Sequence, residues 1–165
     1  MIGTEKTMGN KLSFLKEASS DTRISVGVGV IVAYDGLILL EEREDCGMWG
    51  CPGGRIDPGE SITQTAIRET KEETNIDIKI DKIFGIYTDP KYGTVRRYLE
   101  DSYSQQIIDI YLLAKPFTFD IKKSSESLDV KFFVLNDLPS NIVPYSTEVI
   151  DDFKKGEYNT STILK

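Results

Sequence analysis

Residues 53 to 76 read GGRIDPGESITQTAIRETKEETNI and gather five carboxylates, Asp57, Glu60, Glu69, Glu72 and Glu73, in a stretch patterned as a turn followed by a helix. Like charges this close together repel unless cations, arginines or solvent neutralise them. Successive residues of a helix are rotated by roughly 100°, so Glu69, Glu72 and Glu73 fall within about a third of its circumference. The neighbouring face carries Ile62, Ala66 and Thr70 and can pack on a sheet. One helix can therefore bury itself and still aim three carboxylates at one place. Such an oxygen-rich cluster suits Mg²⁺, which keeps several waters and shares its remaining positions with substrate phosphates. Arg68, four residues before Glu72, can hold a carboxylate in position, and Gly53-Gly54 allows the main chain close enough for a carbonyl to become a further ligand. The plainer alternative is that RETKEET, with its alternating Glu and Lys, is a solvated helix face.

The elements that must position these residues are legible in outline. Ser61 supplies an N-cap, Gln64 completes a capping box three residues on, and Ile62, Ala66, Ile67 and Thr70 recur at helical spacing through to Thr74. Upstream, the apolar run ISVGVGVIVA, the turn Tyr34-Asp35-Gly36 and the run LILLEE predict a β-hairpin with one strand largely buried, followed by the glycine-rich loop GMWGCPGG. Downstream, IDIKIDKIFGIYT, QQIIDIYLLA and VKFFVL read as strands, separated by the polar loop DPKYGTVRRYLEDSYS and by the stretch from Pro116 to Asp129. A last amphipathic helix is expected near Thr147–Lys155. Residues 1–22 read as a tail or as a short helix around Lys11–Ala18, residues 23–157 as the domain, and residues 158–165 as a C-terminal tail. Strands outnumber helices, which predicts an α+β or α/β sandwich: a mixed sheet covered by helices.

Composition narrows the chemistry. A length of 165 residues fits one domain, and 39% hydrophobic with 28% charged residues is ordinary for a globular protein. The net charge of −7 lacks the basic stripe that a nucleic-acid polymer needs, but it permits a small basic pocket for one nucleotide. No apolar run approaches the roughly 18 residues of a membrane span, and MIGTEKTMGN lacks the apolar core of a signal peptide, so no membrane partner and a cytoplasmic location are expected. With no histidine and only Cys46 and Cys51, no ordinary Cys/His zinc site can be built, so any metal should be a hard, oxygen-loving one.

Gly54, Glu60 and the run Arg68-Glu69-Thr70-Lys71-Glu72-Glu73-Thr74-Asn75-Ile76 stand at the offsets of G-x5-E-x7-R-E-U-x-E-E-x-G-U, where U is aliphatic. The joint spacing resembles the Nudix box. The lead-in Trp49-Gly50-Cys51-Pro52-Gly53-Gly54 is similar to that family's, and the likeness in layout runs from about Ile24 to Leu138. Two positions depart from the pattern. Thr70 replaces an aliphatic residue but keeps a methyl group to pack, and Asn75 replaces the helix-ending glycine, where Asn is the commonest substitute able to take a left-handed backbone.

The resemblance implies a Nudix-like α/β/α sandwich with a mixed β-sheet and a catalytic loop-helix. It implies a Mg²⁺-dependent pyrophosphohydrolase (Mn²⁺ can substitute) that cleaves a nucleoside diphosphate linked to another group by water attack on phosphorus. Carried over by motif, Glu72 and Glu73 are metal ligands, Glu69 is a ligand or the base that orients water, the Gly54 carbonyl joins the coordination, Glu60 supports the metal shell, and Arg68 fixes the glutamates. The general base can lie outside the box, and Glu126 stands roughly where the family often offers another acid. On the substrate side, Arg43 and Arg55 are placed to meet phosphate, Arg96-Arg97 with Tyr92 and Tyr98 to bind phosphate or stack on a base, and Trp49 to line the pocket or anchor its loop. Nucleoside triphosphates, ADP-ribose-like compounds and dinucleotides all remain open as substrates, since Pro90 and Tyr92 point to different subfamilies. A homodimer also stays open. The alternative function is a non-catalytic nucleotide sensor on the same fold, although such domains typically lose box glutamates and this chain retains them.

Overall fold

A computed structural model describes residues 11–165, whose strands are β1 Leu12–Phe14, β2 Arg23–Tyr34, β3 Leu37–Arg43, β4 Trp49–Gly50, β5 Gly53–Arg55, β6 Ile78–Tyr87, β7 Val95–Tyr98, β8 Gln105–Pro116, β9 Ser127–Val134 and β10 Ile163–Leu164. Two α-helices complete it, α1 Ile62–Thr74 and α2 Pro144–Lys155. β8 is the central strand. It runs parallel to β2 from Arg23↔Gln105 to Val32↔Ala114, and antiparallel to β6 and β7 on its other side. β2 also pairs antiparallel with β5 and, past its middle, with β3, which in turn pairs with β4 and β9. The sheet is therefore mixed, as expected.

Strand alternation divides the core into two layers. Val28, Val30 and Val32 of β2 pack with Leu39, Leu112, Ala66 and Ile76 on the α1 side, whereas Ile31 packs with Ile38, Leu40, Tyr111, Val149 and Ile150 on the α2 side. A run apolar at every position is what a strand covered on both faces requires. The hairpin turn is as expected: Tyr34 registers with Leu37, and Asp35 and Gly36 both take positive φ, 48° and 77°, as a two-residue turn matched to strand twist demands.

The α1 helix follows its sequence signals closely. Ser61 Oγ accepts from the Gln64 N–H at 3.2 Å, the Ser61 N–H donates to Gln64 Oε1 at 2.8 Å, and Asn75 ends the helix at φ 63°. The Asn75 side-chain amide donates to the Asp120 carbonyl at 2.7 Å, a contact that glycine could not make. One residue of the expected apolar stripe does not pack: Ile67 is 43% exposed, because the buried face turns through Thr65, Ala66, Thr70, Glu73 and Thr74.

Three segments differ from the sequence-based expectation. The short helix around Lys11–Ala18 is instead strand β1, antiparallel to β7 with Leu12 opposite Tyr98, and burial of Leu12 outweighs any weak local helical preference. The polar loop from Asp89 contains β7, which buries Val95 and Arg96. The final segment is tied to the domain: β10 lies parallel to β6, and Lys165 Nζ donates to Asp152 Oδ1 at 2.8 Å. No described helix is long and apolar enough to cross a membrane.

Because α1 carries the carboxylates, its cap is a direct lever on their placement. Replacing Ser61 with Ala removes the acceptor for the Gln64 N–H and should lower stability by about 1 kcal/mol. Urea denaturation should show this as a lower midpoint with an unchanged slope.

Candidate active site

Arg68 is the hub of the carboxylate cluster. Its Nε and Nη2 donate to the two oxygens of Glu60 at 2.6 and 2.8 Å, and its Nη1 donates to Glu69 Oε1 at 2.8 Å and Glu72 Oε2 at 3.3 Å. Glu60 also accepts from the Thr65 hydroxyl at 2.8 Å. These bonds, the Arg68 ones first, hold the Glu60 carboxyl down at about 2. The guanidinium fork thus braces the loop before α1 against the helix, as bidentate geometry allows.

The three box glutamates occupy different environments. Glu72 is largely exposed, Glu69 is mostly covered and Glu73 is buried. Glu73 Oε2 accepts from the Gly53 N–H at 2.8 Å. Burial, followed by the charge of Glu41, pushes the Glu73 carboxyl well above the ordinary range, and burial raises Glu69 despite the opposing pull of Arg68. The glycines of the lead-in are required for this arrangement. A Cβ on Gly54 would overlap the Glu69 carboxylate, and one on Gly53, where φ is 152°, would overlap the Val28 carbonyl. The main chain can therefore lie directly against the acidic groups.

Beside this cluster opens a cavity of about 940 Å³, bordered by Gly53, Gly54, Arg55, Arg68, Glu69, Glu72 and Glu73 at one end. Arg43, Arg55 and Glu126 line it as the sequence suggested. Arg43 is clamped by Asp45 through bonds of 3.0 and 2.6 Å, and Arg55 Nη1 donates to Gln105 Oε1 at 3.1 Å. Two expected substrate residues lie elsewhere. Trp49 is buried edge-on against Phe133, with ring centroids 4.8 Å apart, so it anchors its loop rather than lining the cavity. Arg97 turns to Asp21 at 2.8 Å because alternation along β7 sends it to the face opposite Arg96. Tyr98 lines the cavity and Tyr92 does not; the Tyr92 ring faces Lys91.

Several residues of the site went unread in the sequence. Glu41 is 1% exposed, accepts from Ser127 Oγ at 2.7 Å and lies 3.6 Å from Arg43. Its signal was available: on β3 it shares a face with Leu39, which points into the α1 layer. Asp109, Tyr111 and Tyr145 also line the cavity, beside Arg96, which the sequence had offered as a substrate residue. Asp109 could have been noticed as the one charge within the apolar run IIDIYLL.

The donor set fits a hard divalent ion. Glu41, Glu69 and Glu73 are crowded carboxylates whose ionised forms are penalised by burial, which a cation would relieve. Neither thiol competes: burial lifts Cys46 to about 11 and Cys51 to about 12. Among the described residues the carboxylates do not converge on a common ligand position as they stand, since Arg68 bridges Glu69 and Glu72.

Comparison with known proteins agrees with the fold and the box. A family model described as the NUDIX domain matches residues 23–153. A Bacillus subtilis protein provisionally named an 8-oxo-dGTP diphosphatase is 31% identical over 130 residues, covering 78% of each chain. The ADP-ribose pyrophosphatase of Methanocaldococcus jannaschii is 27% identical over 134 residues, 79% of this chain and 73% of its own. Among solved structures, a Nudix hydrolase from Nitrosomonas europaea superposes with a TM-score of 0.69 at 22% identity, covering 86% of this chain and 76% of the other. The domain match spans both layers and the whole carboxylate helix: the chain belongs to the Nudix family and is a hydrolase acting on phosphoanhydride bonds.

Proposed function

We propose that the chain is a Mg²⁺-dependent pyrophosphohydrolase that cleaves a nucleoside diphosphate linked to a further group. The observation that carries this reading is the placement of Glu69, Glu72 and Glu73 with the Gly53-Gly54 main chain at one end of a nucleotide-sized cavity. Glu69, Glu72, Glu73 and the Gly54 carbonyl would hold the ion. When bound, it would neutralise phosphate charge and lower the pKa of a coordinated water. The protein's own contribution is orientation. Arg68 fixes Glu60 and Glu69 relative to each other, and Gly53 fixes Glu73. Arg43 and Arg55 supply positive charge along the cavity wall for the phosphates, and Glu126 offers a carboxylate for proton transfer from outside the box. Two relatives named for 8-oxo-dGTP and ADP-ribose put both nucleoside triphosphates and ADP-ribose-like compounds in the candidate set. The two free buried thiols suit a reducing, cytoplasmic setting.

A panel of nucleoside triphosphates, ADP-ribose and dinucleoside polyphosphates, assayed with Mg²⁺ and with products identified, tests the reading. Turnover should be abolished by chelation; turnover that persists in excess chelator would overturn the metal requirement. Glu73→Gln should lower kcat by about 100-fold or more, as when a principal electrostatic contact to the transition state is lost. The amide keeps an acceptor for the Gly53 N–H and removes a buried charge, so metal-free thermal stability should stay level or rise. A marked drop in metal-free Tm would assign Glu73 a structural role instead.

The pH dependence follows from the raised carboxyls. A group whose folded pKa lies above its unfolded value stabilises the fold at low pH, and this contribution is lost as pH climbs from the unfolded value through the folded one. For Glu69 and Glu73 that loss begins above about 4.5, the ordinary value. Metal must displace those protons, so the rise in Tm on adding Mg²⁺ should be larger at pH 8 than at pH 5. Thermal melts with and without Mg²⁺ at the two pH values check this, and an equal rise at both would contradict it.

A further inference from the structure

The cavity beside α1 has a second end to which the hydrolytic reading gives no task. There β7 and β8 bring Arg96 and Asp109 into an ion pair, both side chains less than a tenth exposed and both lining the cavity. Arg96 is pinned on three sides. Its Nε donates to the Gly93 carbonyl at 3.0 Å, its Nη2 donates to Asp109 Oδ2, and its guanidinium carbon lies 3.7 Å from the centre of the Tyr145 ring. Among the described residues no hydrogen bond reaches Arg96 Nη1 or Asp109 Oδ1. A guanidinium has five N–H donors and a carboxylate accepts at both oxygens, so each group keeps unused capacity at the cavity.

The alternating glycines of VGVGV leave this floor clear. Gly27 and Gly29 register opposite Asp109 and Tyr111 of β8. A Cβ on Gly27 would stand 2.7 Å from Asp109 Oδ1, and one on Gly29 would run into the Tyr111 ring. With neither present, the Asp109 carboxylate and the Tyr111 ring lie close over the β2 backbone while still lining the cavity.

We propose that Arg96 and Asp109 read the edge of a nucleobase: Asp109 Oδ1 accepts from a base N–H, and Arg96 Nη1 donates to the neighbouring ring nitrogen or carbonyl oxygen. The subsite rests on the reading of the cavity as a nucleotide site, and recognises the end of the ligand remote from the hydrolysed bond. Asp109 is buried with the guanidinium and faces the cavity beside it, so it would repel a phosphate brought to this pair. Pinning makes the free donor directional, which suits a planar heterocycle better than freely rotating hydroxyls. The surrounding rings of Tyr98, Tyr111 and Tyr145 make the end aromatic, where a base loses less on leaving water than a polyol does. Every common nucleobase offers a donor beside an acceptor on its pairing edge. The subsite therefore separates nucleotides from base-free phosphoanhydrides rather than one base from another.

Equilibrium titration of the full chain with Mg²⁺ tests this, using ADP against N6,N6-dimethyl-ADP, GDP against N1-methyl-GDP, and inorganic pyrophosphate, with hydrolysis followed in parallel. In wild-type protein, methylation should weaken binding about 10- to 100-fold in at least one pair, the range for a buried hydrogen bond to a charged group. In Asp109→Asn, Arg96 retains the amide oxygen and turns the amide NH2 toward the ligand, so the same methylation should change affinity less than about threefold. The wild-type comparison stands alone if the variant fails to fold. Equal affinities within both pairs, equal losses in wild type and Asp109→Asn, or pyrophosphate binding as tightly as either nucleotide would overturn the subsite. Hydrolysis with base-blind binding would overturn the subsite alone, whereas base-selective binding without hydrolysis would overturn only the hydrolytic reading.

Discussion

The constraint on which the site depends is that several carboxylates must be held close together, partly out of water, without flying apart. Arg68 meets most of that demand. Four of its hydrogen bonds serve Glu60, Glu69 and Glu72 at once, a fifth reaches the Arg55 carbonyl, and it ties the loop before α1 to the helix itself. A lysine could offer a point charge but not this fork. Glu73 escapes the fork and relies on one main-chain N–H, so its carboxyl is left with a charge that the fold accommodates poorly. That residual strain in electrostatics is what makes the cluster receptive to a divalent cation.

The surrounding fold keeps this crowding possible. The α1 helix is anchored at its start by a reciprocal cap and at its end by Asn75, so its acidic face has little freedom to rotate away. Thr65, Ala66, Thr70 and Thr74 pack beneath it with small side chains, which lets the helix lie close to the sheet and brings Glu73 within reach of β5. Gly54 then admits the main chain where a side chain would displace the Glu69 carboxylate, and Gly53 where one would strike the β2 backbone at Val28. Gly27 and Gly29, on the strand between β5 and β8, do the same for Asp109 and Tyr111, so the floor from the carboxylate helix to Asp109 depends on backbone that carries no Cβ.

Charge around the cavity is arranged in local pairs. Arg43 is held by Asp45 and Arg96 by Asp109, while the excess negative charge is concentrated on the face of α1. A chain of net charge −7 can in this way present a site that accepts a polyanion with its counter-ion. The arginines are aimed by their acidic partners before any ligand arrives, which lowers the ordering cost of binding.

Much of this was written into the sequence where interactions are local. Ser61, Gln64 and Asn75 announce the ends of α1, the spacing of Glu69, Glu72 and Glu73 sets their shared face, and Asp35-Gly36 sets the hairpin, because each depends on neighbours a few residues away. Contacts between distant segments were not legible. β1 is a strand only because β7 offers an edge, Arg96 rather than Arg97 enters the cavity because of the register of β7 on β8, and Trp49 is consumed by packing on Phe133. Glu41 joins the acidic cluster only when β3 is laid beneath α1. The sequence by itself determined the carboxylate helix and the kind of ion that could satisfy it. Tertiary structure decided which cations and tyrosines face that helix across the cavity, since those side chains arrive on strands whose pairing is fixed by burial over the whole domain.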